Sequence, residues 1–396
     1  MQLLVPIFIV STRGVADQGL YAISKNHFDL ILALLVLGLP QGILVAQGNA
    51  KTRVDTPLVF WHTLTYVLFA SPAILAIAYY TQPKLIEYSL YAVFVLIGVM
   101  AIACRDIWRG TYIEHNDAGL YAIYSIIPSA VLGLTAVVSF SVFADTTTAL
   151  TVLYAVGGIT ALLVSLAIYR EKMPTRLKVD WRIFKPILTN SFDGFIQTVV
   201  VLAQAYLFYY IIQKSAPNAS ELTGILSIGF LIVQGLMTPM QMVAPLIIRR
   251  WMPLATDEII THFKILNRIF YGLLLLSSLA CVLLLKMSTV GWFEDARIQQ
   301  ALQAALLLPL IPAAFLLRIE ALVCAVRFNL KPNVAVAVVK TMISVLIFLL
   351  LNSCFGAVTL LNAAIALVVG EYVAIFVGML LIRKLFHIPL IAFFRV

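Results

Sequence analysis

Ionisable side chains inside long apolar runs are the residues of this chain with chemistry to offer. Arg318 and Glu320 share one such run, Lys340 lies in the next, and Glu371 stands beside Tyr372 in the last. An earlier run carries Asn190 and Asp193. A charge at the centre of a lipid-embedded helix costs about 3 kcal/mol, so it persists where it faces a partner or a water-filled cavity. Arg and Lys can hold an anion, Arg in bidentate fashion, and a carboxylate can take a proton or neutralise a cation. Arg318 and Glu320 are two residues apart, so on a helix they face different ways and need separate partners. Two readings follow. In one the charges pair between helices, for instance Arg318 with Glu371 or Lys340 with Asp193. In the other Arg318 and Lys340 line a polar cavity for an anionic substrate, and Asp193, Glu320 and Glu371 serve coupling or balance the cations. Arg13 and Lys25, near the start of the chain, are either solvated loop charges or a basic gate at the mouth of such a cavity that meets a phosphate.

The elements that must position these residues follow from composition. The chain has 396 residues, 62% hydrophobic and 11% charged, with mean hydropathy +1.01. A soluble domain is about half apolar and about a quarter charged. Only lipid can satisfy this much apolar surface. The runs are long and do not alternate as barrel strands would, and a backbone in lipid must bond to itself, so the expected class is an all-α polytopic membrane protein. Met1–Val10 reaches only about 15 Å as a helix. Either the first helix extends into the polar stretch from Ser11, or the natural protein starts earlier. No signal peptide is expected, because Met1-Gln2 supplies no basic region before the apolar run. Further spans are expected near 28–47, 57–80, 86–104, 119–143, 149–169, 186–213, 222–248, 269–285, 299–326, 333–353 and 357–382, giving about twelve in all.

The stretch 170–185 divides the spans into two sets of six: 1–169 and 186–396. It carries Arg170, Lys172, Arg176, Lys178, Arg182 and Lys185 against the acids Glu171 and Asp180. A basic run beside apolar spans is held on the cytoplasmic side. With this register, 19 of the 27 Lys and Arg residues fall on the side of 170–185, six fall on the opposite side, and Arg318 and Lys340 lie within spans. That asymmetry supports the register and places the C-terminus in the cytoplasm. The two halves read as rough repeats, because Gly38-Leu39-Pro40-Gln41 and Gly235-Leu236-Met237-Thr238-Pro239-Met240-Gln241 both occupy the second span of their half. Transporters often carry such repeats, with substrate held between them near mid-bilayer.

Other classes find little support. The net charge of +9 sits in short connections, where it sets topology and attracts anionic lipid rather than nucleic acid. Cys104, Cys281, Cys324 and Cys354 are far apart, so they read as small hydrophobes rather than a metal or redox site. Glu114-His115 with Asp117, and Glu294-Asp295, read as polar loops. No phosphate-binding loop, GxGxxG or GxSxG context is present, no cofactor is expected, and hydrolysis of ATP within the chain is not expected.

Thr12-Arg13-Gly14-Val15-Ala16-Asp17-Gln18-Gly19-Leu20-Tyr21-Ala22-Ile23, followed by Gly38-Leu39-Pro40-Gln41, resembles the opening of bacterial polysaccharide-export flippases. These are the Wzx-type O-antigen translocases of the multidrug/oligosaccharidyl-lipid/polysaccharide (MOP) superfamily. Trp108-Arg109-Gly110 and Tyr121-Ala122-Ile123-Tyr124-Ser125-Ile126-Ile127-Pro128-Ser129 are similar to the fourth-to-fifth helix region of such proteins. The resemblance implies two six-helix lobes forming a V around a central cavity. It also implies transfer of an undecaprenyl-pyrophosphate-linked oligosaccharide, a lipopolysaccharide or other surface-polysaccharide repeat unit, from the cytoplasmic to the periplasmic leaflet of the bacterial inner membrane. Coupling to an ion gradient or membrane potential, and polymerase and chain-length proteins as partners, belong to the same expectation. The diphosphate would meet Arg318 and Lys340, with Arg13 and Lys25 near the mouth. Asn190, Gln197, Gln234, Gln241 and Asn362 would offer hydrogen bonds to sugars.

Two rivals remain. A cation-coupled drug exporter of the same fold would favour acids and aromatics in its cavity, and the basic residues argue against it. A membrane-embedded polymerase, ligase or glycosyltransferase would need a sizeable outer loop, for which the evenly spaced spans leave no room.

Overall fold

Every described segment with regular structure is helical, as a backbone in lipid requires. The computed structural model describes residues 4–39, 42, 65–66, 69–70, 72, 118–169, 181–251, 253–290, 292–327 and 329–394. The expected spans at 57–80 and 86–104, the Trp108-Arg109-Gly110 motif, the Glu114-His115 loop and residues 170–180 of the basic stretch lie outside these, apart from the few helical positions at 65–72.

The chain divides into two compact units. One comprises Met1–Val5 and Ser24–Leu202; the other comprises Pro6–Ile23 and Ala203–Val396. At the start of the chain the first helix extends past Ser11, one of the two alternatives expected, while the second begins well before 28. Helix α1 (Leu4–Arg13) runs through Ser11, breaks at Gly14, and is followed at once by α2 (Val15–Val36). The polar stretch Ser11–His27 is therefore helical rather than a loop before a span at 28. The break needs glycine: Gly14 has φ +101°, outside the range an L side chain readily adopts. A second break follows α2, where Leu37 and Gly38 have φ 48° and 66°. Gly38 also lies against the backbone of Ser191 and Phe195, where a Cβ would collide. The corresponding stretch around Gly235–Gln241 shows no such break, since it lies inside a continuous helix.

In the first unit α3 (Ala118–Val142) packs on a second apolar stretch. That stretch is made of α4 (Thr146–Val152), a π-helical turn at Leu153–Gly157, and α5 (Gly158–Tyr169). Asp145 caps it, accepting from the backbone N–H of Thr148 at 2.7 Å. These helical stretches lie where spans were expected at 119–143 and 149–169, with Ala130–Val142 and Thr148–Thr160 as their apolar parts.

The second unit holds the helices that matter most here. Helix α6 (Trp181–Ser215) begins in the first unit and ends in this one. It is followed by α7 (Ala219–Trp251), α8 (Thr256–Val290), α9 (Ala296–Leu302), a 3₁₀ turn (Gln303–Leu307), α10 (Leu310–Val326), α11 (Lys331–Phe355) and α12 (Leu360–Phe386). Ile187–Ser215, Ala219–Met240, Thr256–Val290, Lys331–Phe355 and Leu360–Phe386 are long and apolar enough to cross a membrane. Ala296–Leu307 with Leu310–Val326 makes a sixth candidate, bent by 44°. In order, these are the six spans expected after the basic stretch. Helix α8 starts earlier than the expected 269, because Ile259, Phe263, Asn267 and Phe270 bury one face of its polar beginning. The bend follows from Pro309, which has no N–H to continue the helix before it.

Helix α10 is the hub of this unit, packing on α7, α8 and α12, with Ala313, Ile319 and Val323 fully or almost fully buried. Phe208 of α6 stacks on Phe348 of α11 with ring centroids 4.7 Å apart. The α11–α12 hairpin is set by local chemistry. Gly356 ends α11 at φ +68°, and the Thr359 side chain accepts from the N–H of Asn362 at 3.1 Å to start α12. Replacing Thr359 by Ala lowers stability by about 1 kcal/mol, read as a lower midpoint in a thermal melt of the purified protein.

Contacts between connections sort the two ends of the second unit. At one end Arg297 donates to the carbonyl of Ser11 at 3.1 Å. At the other, Arg327 donates to Thr256 Oγ1 at 3.0 Å and Asn267 donates to the carbonyl of Ala392 at 2.8 Å. The residues after α12 thus lie at the same end as the polar start of α8.

Candidate functional site

Charged residues of three successive helices, Arg318 and Glu320 of α10, Lys340 of α11 and Glu371 of α12, come together. Lys340 Nζ pairs with Glu371 Oε1. The pair expected as one alternative, Lys340 with Asp193, is replaced by this one: Asp193 lies in the first unit's part of α6 and is half-buried. The alternative pair of Arg318 with Glu371 is likewise not formed, although Glu371 is within electrostatic reach of Arg318. Arg318 and Glu320 point to different faces, as their spacing requires. Arg318 is exposed, whereas Glu320 is 2% exposed.

The two carboxylates are held differently. Both oxygens of Glu320 lack a hydrogen-bond partner among the described residues, and so does Oε2 of Glu371. Glu320 faces Gly378 of α12, where a Cβ would collide with Oε2. It is also within electrostatic reach of Glu371. Glu371 and Gly378 are seven residues apart, two turns of one helix face, so α12 presents both to its neighbours on one side. An ionised, unpaired carboxylate buried at this depth costs several kcal/mol. The site is thus graded: cations at its accessible side, with the Lys340 side chain 17% exposed and that of Glu371 8%, and carboxylates behind them.

Polar residues that sequence reasoning passed over surround this group. Gln204 of α6 donates to Ser344 Oγ at 3.0 Å, with both side chains buried. Ser344 lies one turn beyond Lys340 on α11 and touches Gly370, the neighbour of Glu371. Tyr372 donates to the carbonyl of Pro309 at 3.5 Å, so the residue after Glu371 touches the bend that precedes α10. The spacing of Ser344 one turn after Lys340, and of Gly370 and Gly378 beside and below Glu371, was the available signal. It was silent without knowledge of which helices pack.

The remaining candidates lie elsewhere. Arg13 ends α1, and Lys25 pairs with Asp29 one turn later on α2. Asn362 donates to Asn352 Oδ1 at 3.1 Å and to the carbonyl of Ala357 at 3.0 Å, so it ties the α11–α12 turn. A second buried polar contact joins α2 to α7, where Gln18 donates to Ser227 Oγ at 3.1 Å. No group of three or more metal-ligating side chains exists among the described residues.

No protein-family model matches the chain, and no curated protein sequence matches it. Its fold, however, is that of solved transporters. An inward-facing multidrug resistance MATE family transporter of the MOP superfamily superposes with TM-score 0.69 at 14% identity, over 97% of this chain and 93% of that one. An outward-facing conformation of a multidrug resistance MATE family transporter of the MOP superfamily gives TM-score 0.67 at 12% identity over the same shares. A MATE structure in a straight conformation gives 0.66 at 15% identity, also over 97% and 93%. The chain therefore has the MATE-like, multi-pass helical fold expected of it.

Proposed function

We propose that the chain is a flippase that moves an undecaprenyl-pyrophosphate-linked oligosaccharide from the cytoplasmic to the periplasmic leaflet of a bacterial inner membrane. The observation that carries this reading is the cationic side of the α10–α12 cluster, Arg318 and Lys340, inside a MATE-like transporter fold. A lipid tail can stay in the bilayer while its head crosses a polar path. The diphosphate of that head needs cations, and Arg suits bidentate contact with it. Glu320 and Glu371 balance those cations or couple the cycle to an ion, and Asp193 is a further carboxylate for that role. Arg13 and Lys25 serve as outlying basic contacts along the path. Proteins with this fold have been solved facing inward and facing outward, which supports alternating access, with two six-helix lobes rocking about 170–185.

A multidrug exporter is the second reading, favoured by structural neighbours that are multidrug resistance transporters. One experiment separates the two. The gene is deleted, and the leaflet on which lipid-linked oligosaccharide accumulates is read by sugar-specific labelling of intact against lysed spheroplasts. Accumulation on the cytoplasmic side, reversed by the gene, is the expected result. Normal outward display with altered drug sensitivity would establish the exporter instead.

A further inference from the structure

Glu371 occupies an unusual position. From α11 it faces Lys340, with which it is paired, and from α10 it faces Arg318 and Glu320. The other elements packed on α12 add little charge. The 3₁₀ turn Gln303–Leu307 and the turn Leu390–Phe393 contain none, and α7 has charges only near its ends, at Glu221, Arg249 and Arg250. Glu371 is thus the carboxylate that stands before both cations, with one oxygen on Lys340 and the other without a partner. Glu320, turned into the core and seated on Gly378, takes no part in that ion pair.

We infer that Glu371 is a built-in stand-in for the anionic head of the substrate: it holds Lys340 when the site is empty, and a diphosphate binds by taking Lys340 from it. The inference rests on the function proposed above. It follows from accessibility and charge. A lysine without a partner among buried apolar groups would be costly, so the empty site needs an internal anion. The Lys340 side chain is more accessible than that of Glu371, so an arriving anion meets the cation first. Arg318, exposed and within electrostatic reach of Glu371, is the cation that remains beside the displaced carboxylate. The exchange keeps affinity moderate, because every binding event must break an existing ion pair. For a transporter this serves release: when the head leaves, Glu371 recaptures Lys340 and opposes rebinding.

The test is a set of binding titrations on the purified full chain in nanodiscs at fixed ionic strength, with inorganic pyrophosphate as probe. Glu371→Gln removes the competitor and is expected to tighten binding about tenfold, equal to about 1.4 kcal/mol. Lys340→Met weakens it by a similar factor. The double variant decides the matter. If Glu371 acts by holding Lys340, removing it after Lys340 is gone changes nothing, and the double variant binds as weakly as Lys340→Met alone. A double variant that binds clearly tighter than Lys340→Met would show only a general field effect and overturn the inference. So would an unchanged or weaker affinity in Glu371→Gln, or no pyrophosphate binding in either wild type or Glu371→Gln. Glu371→Asp, which keeps the charge and withdraws it by one methylene, guards against misfolding of the Gln variant; it should tighten binding by a smaller factor, and unchanged binding would count against the exchange. A flat titration series together with cytoplasmic accumulation in the deletion strain sinks this inference and leaves the flippase standing. Normal outward display in that strain sinks the flippase whatever the titrations show.

Discussion

On the proposed flippase function, Lys340→Met is expected to stop outward display of lipid-linked oligosaccharide, by at least tenfold against wild type in the spheroplast assay, while Lys340→Arg retains part of it. The physical basis is the loss of a cation from the path proposed for the diphosphate, a charge that neither methionine nor any neighbouring residue on α11 replaces. The substitution also leaves Glu371 without its partner, which costs about 3 kcal/mol for a carboxylate in a spanning helix. Low transport could therefore reflect low protein. The double variant Lys340→Met with Glu371→Gln resolves this, because it removes both charges of the pair. Protein level recovers, since an ion pair replaced on both sides is close to neutral for stability. Transport does not recover. Recovery of both would reduce the Lys340–Glu371 pair to a structural contact and remove Lys340 from the mechanism. Under the exporter reading, the double variant keeps full drug efflux.

Gly370→Val breaks the α11–α12 packing on which the site stands. Gly370 lies against Ser344, with Ser344 Oγ where a Cβ would go and the backbone N of Ser344 3.0 Å from it. A hydroxyl can rotate, but a backbone nitrogen within a helix cannot move without shifting α11. Overpacking of this kind costs about 1–3 kcal/mol, and valine adds branches to the clash. It also separates Ser344 from Gln204 and carries Glu371 away from Lys340. The expected result is a lower thermal midpoint in detergent together with loss of transport. Gly378→Ala is the informative contrast. Its Cβ would meet the end of the Glu320 side chain rather than backbone, so the carboxylate can swing aside and stability falls less. An equal loss in the two variants would show that Glu320 is as rigidly held as the helix backbone.

The amino-acid sequence alone determined the class, the helices and the charged residues worth attention. Apolar runs of membrane length leave a backbone no alternative to helices, so the second half's spans were legible in order. The two-residue spacing of Arg318 and Glu320 determined that they diverge, because helix geometry is local. The sequence left open whether the first helix runs past Ser11, and it does; that the next helix starts at Val15 rather than near 28 follows because a polar stretch that packs on neighbouring helices stays helical: Gln18 is buried against Ser227, and Gly19 lies on the backbone of Ser220. The beginning of α8 was misread for the same reason, since Phe263 and Asn267 are buried by residues near the end of the chain. Only the tertiary structure decided that Lys340 takes Glu371 rather than Asp193, that Glu320 is seated on Gly378, and that Ser344 bridges toward Gln204. Each of those contacts depends on which helix faces meet. Faces that are apolar nearly all round, as on α10 to α12, carry no periodic signal that says which side turns inward.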